Sequence, residues 1–167
     1  MKKYLILLFA FSFISSSFAE NWKGNTVSSP IEIGTMAGMS LYGSKASWSW
    51  LGTGAYLIEP KGWIDDIDDR LWVELELGPT FFSQSGSNQT GMQYAAHLRW
   101  DFTMDENWTF YALGGIGGYH LPTAINGGGM TVNPRFGVGA EYQTKLPLMF
   151  RMELSHEFLG AGVAFNF

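Results

Sequence analysis

A strict two-residue alternation runs through Met92–Thr103, MQYAAHLRWDFT. One set of alternate positions is apolar: Met92, Tyr94, Ala96, Leu98, Trp100 and Phe102. The other set is largely polar: Gln93, Ala95, His97, Arg99, Asp101 and Thr103. Successive side chains of a β-strand point to opposite faces. The segment therefore predicts a strand that lies between an apolar medium and a polar one.

The same alternation recurs from residue 31 onward, whereas helical periodicity is weak. Eight strands are predicted: Ile31–Leu41, Ser47–Ile58, Leu71–Phe81, Met92–Thr103, Trp108–Tyr119, Met130–Tyr142, Leu148–Phe158 and Ala161–Phe167. The segments between them carry turn-forming residues: Gly43–Lys45, Ser85–Gly91, Asp105–Asn107, Leu121–Gly129 and the residues around Pro147. The fifth predicted strand is rich in glycine, and its pattern leaves open which of its faces is apolar.

The composition excludes several classes of protein. The 167 residues are 46% hydrophobic and 16% aromatic but only 15% charged, which is unlike a disordered chain. The chain has no cysteine, so disulfides, cysteine-based zinc sites and thiol nucleophiles are excluded. The formal net charge of -5 argues against a nucleic-acid partner.

The N-terminus has the three parts of a secretory signal peptide. Lys2 and Lys3 precede an apolar run, Tyr4–Ile14, and Ser17–Ala19 places small residues where a signal peptidase reads them. The apolar run is shorter than the roughly 20 residues of a membrane-spanning helix. We expect residues 1–19 to be the signal peptide, residues 20–30 an N-terminal periplasmic lead and residues 31–167 a β-barrel formed by the eight predicted strands. An uncleaved anchor is the alternative.

Two architectures fit the strands, and the position of the charges decides between them. A soluble periplasmic, lipocalin-like barrel turns its apolar face inward, whereas a membrane barrel turns it outward into lipid. The polar faces carry carboxylates and arginines, but no lysine lies within a predicted strand. Arginine suits buried pairing with carboxylates, and lysine prefers water. These charges therefore favour the membrane barrel.

We accordingly expect an ion-pair network in the lumen. Its predicted members are Glu74, Glu76, His97, Arg99, Asp101, Arg135, Glu141, Arg151 and Glu153. Within it, Glu74 and Glu76 are expected to pair with Arg99. Arg135 and Glu141 are expected to pair with Arg151 and Glu153. The interior of an eight-stranded barrel is about wide enough for side chains to fill, so we expect no open pore.

Aromatic residues near the predicted strand ends also favour the membrane barrel, because such residues form belts at the two membrane interfaces. The predicted interface aromatics are Trp48, Trp50, Trp100, Phe102, Trp108 and Tyr142. The predicted fold class is therefore all-β: an eight-stranded antiparallel transmembrane β-barrel, an up-and-down meander.

The last strand carries the most specific pattern. Val163 and Phe165 alternate toward a final aromatic residue, Phe167, in the sequence AGVAFNF. Together with the signal peptide and a DENW turn before a glycine-rich strand, the chain resembles the small eight-stranded outer-membrane β-barrel family of bacteria. The long connection Pro60–Arg70 departs from the short periplasmic turns of that family.

The resemblance implies a place in the outer membrane of a Gram-negative bacterium. It implies contacts with lipopolysaccharide and phospholipid, and assembly by periplasmic chaperones and the barrel-insertion machinery, which would read Val163, Phe165 and Phe167. A structural role, or binding through the extracellular loops Gln84–Gly91 and Leu121–Gly129, is the expected function.

A lipid-modifying outer-membrane enzyme, such as a lipid A deacylase, is the main alternative, because Ser155-His156-Glu157 holds the residue types of a Ser/His/acid site. In a strand, however, His156 would point away from Ser155 and Glu157. We therefore expect no catalytic residues. The acidic segment Asp65–Asp69 lacks the spacing of a calcium loop and is expected to be a solvated turn. The sequence predicts no cofactor and no metal site.

Overall fold

The computed structural model describes residues 30–167, except for residues 43, 44, 65, 85, 86, 124 and 126. The strands are β1 (Ile31–Tyr42), β2 (Lys45–Glu59), β3 (Asp69–Gln84), β4 (Ser87–Thr103), β5 (Trp108–Leu121), β6 (Gly129–Met130), β7 (Asn133–Gln143), β8 (Met149–Ser155) and β9 (Phe158–Asn166). The predicted signal peptide and nearly all of the predicted lead lie outside the described residues. None of the described segments is a helix of the length and apolarity needed to span a membrane.

The strands form one closed antiparallel barrel in up-and-down order. The first and last strands close the ring, with Glu32 of β1 opposite Asn166 of β9. The short β6 pairs with the end of β5 at His120 and Leu121, and β7 pairs with β5 from Trp108 to Gly117. Since β6 and β7 occupy one position in the ring, the barrel has eight strands. The predicted fold class is confirmed.

Three predicted boundaries are wrong. The predicted strand Leu148–Phe158 contains the end of β8 at Ser155 and the start of β9 at Phe158. In the predicted turn Ser85–Gly91, only residues 85 and 86 lie outside β3 and β4. The predicted strand Met130–Tyr142 is interrupted between β6 and β7. Alternation marks a strand only where it borders an apolar medium, so at the β3–β4 hairpin the pattern misses the strand ends that extend beyond that medium.

The apolar side chains of the strands point outward, and the charged ones point into the barrel. On β4, Leu98 is 46% exposed, whereas the adjacent Arg99 is 0% exposed. Val138 and Met152 likewise lie on the outer surface, while Glu141 is buried. This arrangement contradicts the soluble lipocalin-like alternative, which needs the apolar side chains inside. It is the arrangement of a barrel that lipid surrounds.

The two ends of the barrel differ in their connections. The termini end holds the start of β1, the end of β9 and the connections at residues 60–68, 104–107 and 144–148. The distal end is where β1 is followed by β2, β3 by β4, β5 by β6, and β8 by β9. The predicted outer loop Leu121–Gly129 lies at the distal end, although Leu121 and Gly129 themselves belong to β5 and β6. The predicted loop Gln84–Gly91 is instead the tip of the β3–β4 hairpin.

The long connection at residues 60–68 folds around one buried carboxylate. Asp69 accepts hydrogen bonds from the backbone N–H groups of Trp63 (2.9 Å) and Ile64 (3.3 Å) and from Nε1 of Trp100 (2.7 Å). Because Asp69 is 0% exposed, the expectation of a solvated acidic turn is wrong for this residue. Leu71, which the alternation placed outward, is also buried and lies opposite Trp100 in the register.

Candidate functional site

The candidate site is the barrel lumen, and β5 provides the space for it. The inward positions of β5 are Tyr111, Leu113, Gly115, Gly117 and Tyr119, which resolves the face that the sequence left open. A Cβ at Gly115 would lie 2.5 Å from the Cα of His97. A Cβ at Gly117 would lie 3.0 Å from the carboxylate of Glu157. Gly117 therefore leaves room for the carboxylate of Glu157, whereas a side chain at Gly115 would collide with the backbone of β4.

Arg99 links four strands near the termini end. Its two Nη atoms donate to the carboxylate of Glu32 at 2.8 and 2.9 Å, and its Nε donates to Asp101 at 2.9 Å. Its Nη1 also lies 3.2 Å from an oxygen of Glu74 and 3.0 Å from one of Glu141. The guanidinium group is thus surrounded by carboxylates of β1, β3, β4 and β7.

Arg151 of β8 lies next to Arg99 and shares three of its carboxylate partners: Glu32, Glu74 and Glu141. Its Nη1 donates to Glu74 at 2.5 Å, and its Nε donates to the hydroxyl of Tyr111 at 3.0 Å. The Cζ of Arg151 lies 4.9 Å from the ring centroid of Tyr111, and the Cζ of Arg99 lies 5.1 Å from that of Trp72. Each of the two guanidinium groups therefore makes a cation–π contact with the face of an aromatic ring.

Arg135 of β7 holds a second group of charges farther toward the distal end. Its Nη2 lies 2.5 Å from Glu76 and 2.6 Å from Glu153. The Nε2 of His97 lies 3.7 Å from Glu74 and 3.9 Å from Glu76. The side chains of Glu76, His97 and Arg135 are all buried.

Uncharged side chains fill the distal part of the lumen. Buried hydroxyl and amide groups form a chain of hydrogen bonds of 2.5 to 2.6 Å through Ser40, Ser49, Thr80 and Gln93. Toward the distal end lies an apolar cluster of Phe82, Tyr119, Leu121 and Ile125. Each of the three lumen arginines is at most 1% exposed, so no water-sized space surrounds them.

The structure places all nine predicted network residues in the lumen: Glu74, Glu76, His97, Arg99, Asp101, Arg135, Glu141, Arg151 and Glu153. The expected pairing of Glu76 with Arg99 is wrong, because Glu76 pairs with Arg135. The sequence reasoning missed Tyr111, since the face of its strand was open, and it missed the distal apolar cluster. Once the inward face of β3 and of β5 is known, the two-residue period of each strand places Phe82 and Tyr119 inside the barrel.

Ser155 is the last residue of β8, and His156 and Glu157 form the tight turn between β8 and β9. The Ser155 hydroxyl donates to the carbonyl of Phe158 and accepts from its N–H, each at 3.1 Å. His156 is exposed and stacks on the ring of Phe136, with centroids 4.8 Å apart. A nucleophile and its base must lie within hydrogen-bond reach, and this geometry supplies no such contact between Ser155 and His156.

The predicted interface aromatics lie on the outer surface in two groups. Trp48 and Trp50 are exposed near the distal end, at 63% and 60%. Near the termini end, the ring centroids of Trp100 and Phe102 are 4.9 Å apart, and those of Trp108 and Tyr142 are 5.0 Å apart. Trp63, which the sequence reasoning did not include, joins the second group at 5.6 Å from Trp100.

No family model and no curated protein matches the chain in sequence. Among solved structures, the chain is similar to the crystal structure of Ail, the attachment invasion locus protein of Yersinia pestis, with a TM-score of 0.52 at 13% identity over 82% of this chain and 96% of Ail. It is also similar to Ail of the same organism in a phospholipid bilayer nanodisc, with a TM-score of 0.51 at 11% identity over 83% and 99% of the two chains. At these identities the likeness shows the fold: that of a small eight-stranded outer-membrane β-barrel.

Proposed function

Because the chain has the fold of the small eight-stranded outer-membrane barrels, we propose that it is an integral protein of the bacterial outer membrane with no enzymatic activity. The observation that carries the proposal is the facing of the strands, which exposes Leu98 and buries Arg99 beside it. A continuous apolar exterior of this kind is an interaction surface in a water-soluble protein, whereas in a bilayer it contacts lipid. Phospholipid and lipopolysaccharide are the proposed lipid partners.

The orientation in the membrane can be tested by cysteine labelling, because the natural chain has no cysteine. We propose that the distal end faces the cell exterior. Thr123→Cys, on the exposed distal connection, should then react with a membrane-impermeant maleimide in intact cells. Glu106→Cys, on an exposed connection at the termini end, should react only after the outer membrane is permeabilised. The reverse pattern, or reaction of neither residue after permeabilisation, contradicts the proposal.

The packed lumen supports a barrel without a stable ion channel. Arg99, Arg135 and Arg151 are held from several strands, and the distal apolar cluster lies beyond them. Purified barrel in planar bilayers should therefore give no discrete conductance steps above the protein-free background. Reproducible single-channel steps that disappear when the protein is heat-denatured would contradict a filled lumen.

A structural role or surface binding at the distal rim is the proposed activity of this barrel. Ser83, Asn88, Thr90 and Thr123 are exposed at this rim, and all four are polar and uncharged. Binding at this rim would depend on hydrogen bonds and shape, and only weakly on salt. The name of Ail refers to attachment, which is a property of that protein. For the present chain it is the reason to include cell attachment among the measurements.

The two roles can be separated with one rim variant. Asn88, Thr90 and Thr123 are replaced together by alanine, and the matched control replaces Glu106 and Lys145 at the other end. A structural role predicts that the rim variant restores detergent resistance to a deletion strain as well as the native chain does. Surface binding predicts that it restores resistance but loses cell attachment to protein-coated surfaces. Equal attachment for the native chain, the rim variant and the deletion strain contradicts the binding role.

The assembly partners also remain a proposal. Val163, Phe165 and Phe167 lie on the outward-facing set of positions of β9 and the residue that follows it. Periplasmic chaperones and the barrel-insertion machinery are the proposed partners of this segment.

A further inference from the structure

Three donor residues meet inside the barrel on the neighbouring strands β3 and β4. Glu74 and Glu76 are two residues apart on β3, and His97 of β4 lies directly opposite Glu74 in the register. One donor atom from each of the three side chains lies within 4.8 Å of the other two. All three side chains are fully buried. An imidazole and two carboxylates form a donor set that zinc and similar cations bind.

Two of the three donor side chains, Glu76 and His97, have atoms facing the group that lack a hydrogen bond within the described part of the chain. Oε2 of Glu74, by contrast, accepts one from Nη1 of Arg99 at 3.2 Å. Glu76 uses Oε2 to bind Arg135, whereas its Oε1 has no hydrogen-bond partner. Neither ring nitrogen of His97 has one either, although Nε2 points toward Glu74 and Glu76 at 3.7 and 3.9 Å. Buried polar atoms without a hydrogen bond destabilise a fold. A cation between these atoms would provide the partner that they lack.

The charge of the lumen also favours a bound cation. Seven buried carboxylates face the lumen: Glu32, Glu74, Glu76, Asp101, Glu141, Glu153 and Glu157. The described guanidinium groups buried there are three: Arg99, Arg135 and Arg151. With every group ionised, the excess is four negative charges, and a protonated His97 reduces it to three. A divalent cation on a neutral His97 reduces it to two.

We propose that Glu74, Glu76 and His97 bind one divalent transition-metal ion, with Zn²⁺ as the best fit. Ligand bonds of about 2.0–2.2 Å place the donors of a tetrahedral zinc site roughly 3.4 Å apart. Nε2 of His97 therefore needs to move only a few tenths of an ångström closer to each carboxylate oxygen, from 3.7 and 3.9 Å, and the donor atoms of Glu74 and Glu76 lie within 4.8 Å of each other. The ion joins β3 to β4 inside the lumen. Because packed side chains lie on both sides of the site, the ion enters while the barrel folds.

The test measures zinc in refolded barrel by inductively coupled plasma mass spectrometry. His120→Gln and His156→Gln are combined as the background, because both residues are exposed and could hold zinc at the surface. The unfolded chain is refolded into detergent with Zn²⁺ and then washed with a chelator. About one zinc ion per folded barrel is expected, since the site is buried and exchange is slow. In the same background, His97→Gln and Glu76→Gln should each lower the zinc content at least tenfold.

Glu153→Gln is the matched control. It removes one lumen carboxylate that also pairs with Arg135, as Glu76 does, but Glu153 does not belong to the donor group. This variant should keep its zinc. Background barrel that folds but holds no zinc after the wash overturns the proposal without any variant. Equal zinc in the His97→Gln, Glu76→Gln and Glu153→Gln barrels overturns it as well.

Refolding with Co²⁺ gives an independent readout on the background barrel alone. Visible absorption bands that differ in position and intensity from those of hydrated Co²⁺ support a site built from protein donors. A spectrum equal to that of hydrated Co²⁺ contradicts it, so the proposal stays testable even when a donor variant fails to fold.

Discussion

Arg99 holds Glu32 with both of its Nη atoms, at 2.8 and 2.9 Å, although 67 residues separate them in the chain. Glu32 lies on β1 and Arg99 on β4, so the contact crosses the lumen instead of following the sheet. Such a bidentate pair is among the stronger charge-assisted contacts in proteins. Because Arg99 also meets Asp101, Glu74 and Glu141, removal of this one cation leaves four buried carboxylates with less compensation.

Arg99→Met is therefore expected to lower the free energy of unfolding by about 3–5 kcal/mol, the range for breaking a buried ion pair by removing one partner. Urea unfolding in lipid vesicles, followed by tryptophan fluorescence, measures the change. Arg70→Met is the matched control, because Arg70 pairs with Asp68 at the termini end, at 3.3 Å, in a more exposed position. Its cost should stay below about 1 kcal/mol. An equal loss of unfolding free energy in the two variants would show that the lumen ion pairs stabilise the barrel no more than the Arg70–Asp68 pair does.

A charge on the outer surface should be costly only at membrane depth. Leu75 points outward from the middle of β3, between two inward glutamates. Leu75→Arg should cost about 2–4 kcal/mol of unfolding free energy in vesicles, whereas Met130→Arg, outward at the distal end, should cost about 0–1 kcal/mol. The same vesicle-based unfolding measures both. A cost at Met130 as large as that at Leu75 would argue against a lipid zone centred on the strands.

Adjacent glycines of β5 should respond differently to the same substitution. A Cβ on Gly115 would lie 2.3 Å from the carbonyl oxygen of Ala96 and 2.5 Å from the Cα of His97, whereas one on Gly114 meets nothing within 4 Å. Gly115→Ala should destabilise the barrel by about 1–3 kcal/mol through overpacking. Gly114→Ala should be neutral or stabilising by up to about 1 kcal/mol. Thermal unfolding of the two variants in one detergent measures the difference. A Gly114→Ala barrel that is less stable than the Gly115→Ala barrel would refute the inward assignment of Gly115.

Asp69 should control the order of the connection at residues 60–68. Asp69→Ala removes the acceptor of two backbone N–H groups and of the Trp100 indole, so this connection should be cleaved faster by protease while the strands stay protected. Asp66→Ala, at an exposed position on the same connection, is the control and should leave the cleavage rate unchanged. Equal cleavage rates for both variants would exclude Asp69 as the organising residue.

The sequence predicts the barrel well because its signal is local. Leu98 and Arg99 are neighbours in the chain, and a period of two assigns them to opposite faces without knowledge of any other strand. The sequence does not predict in the same way which charged side chains pair with each other inside the lumen. Glu76 pairs with Arg135 across 59 residues, and that contact depends on how the strands tilt and stagger around the ring. Alternation carries no information on stagger, so the expected pair with Arg99 was wrong.

The ends of the barrel were harder to predict for a related reason. Beyond the apolar zone, Ser83 and Asn88 pair as strand residues although both are polar and exposed. The sequence there resembles a turn because no apolar medium imposes a pattern. Asp69 likewise reads as part of an acidic, solvated segment, and only the fold of the connection buries it.

The most direct measurement of the central claim is nuclear Overhauser transfer between lipid acyl chains and leucine methyl groups of the native barrel in a nanodisc. Leu75, Leu98 and Leu154 are exposed on the outer surface, whereas Leu51 and Leu113 are buried inside. Cross-peaks from the acyl chains to the first three, with none to the other two, are the predicted result. Acyl-chain cross-peaks to Leu51 and Leu113, with water contacts at Leu75 and Leu98, would contradict the account.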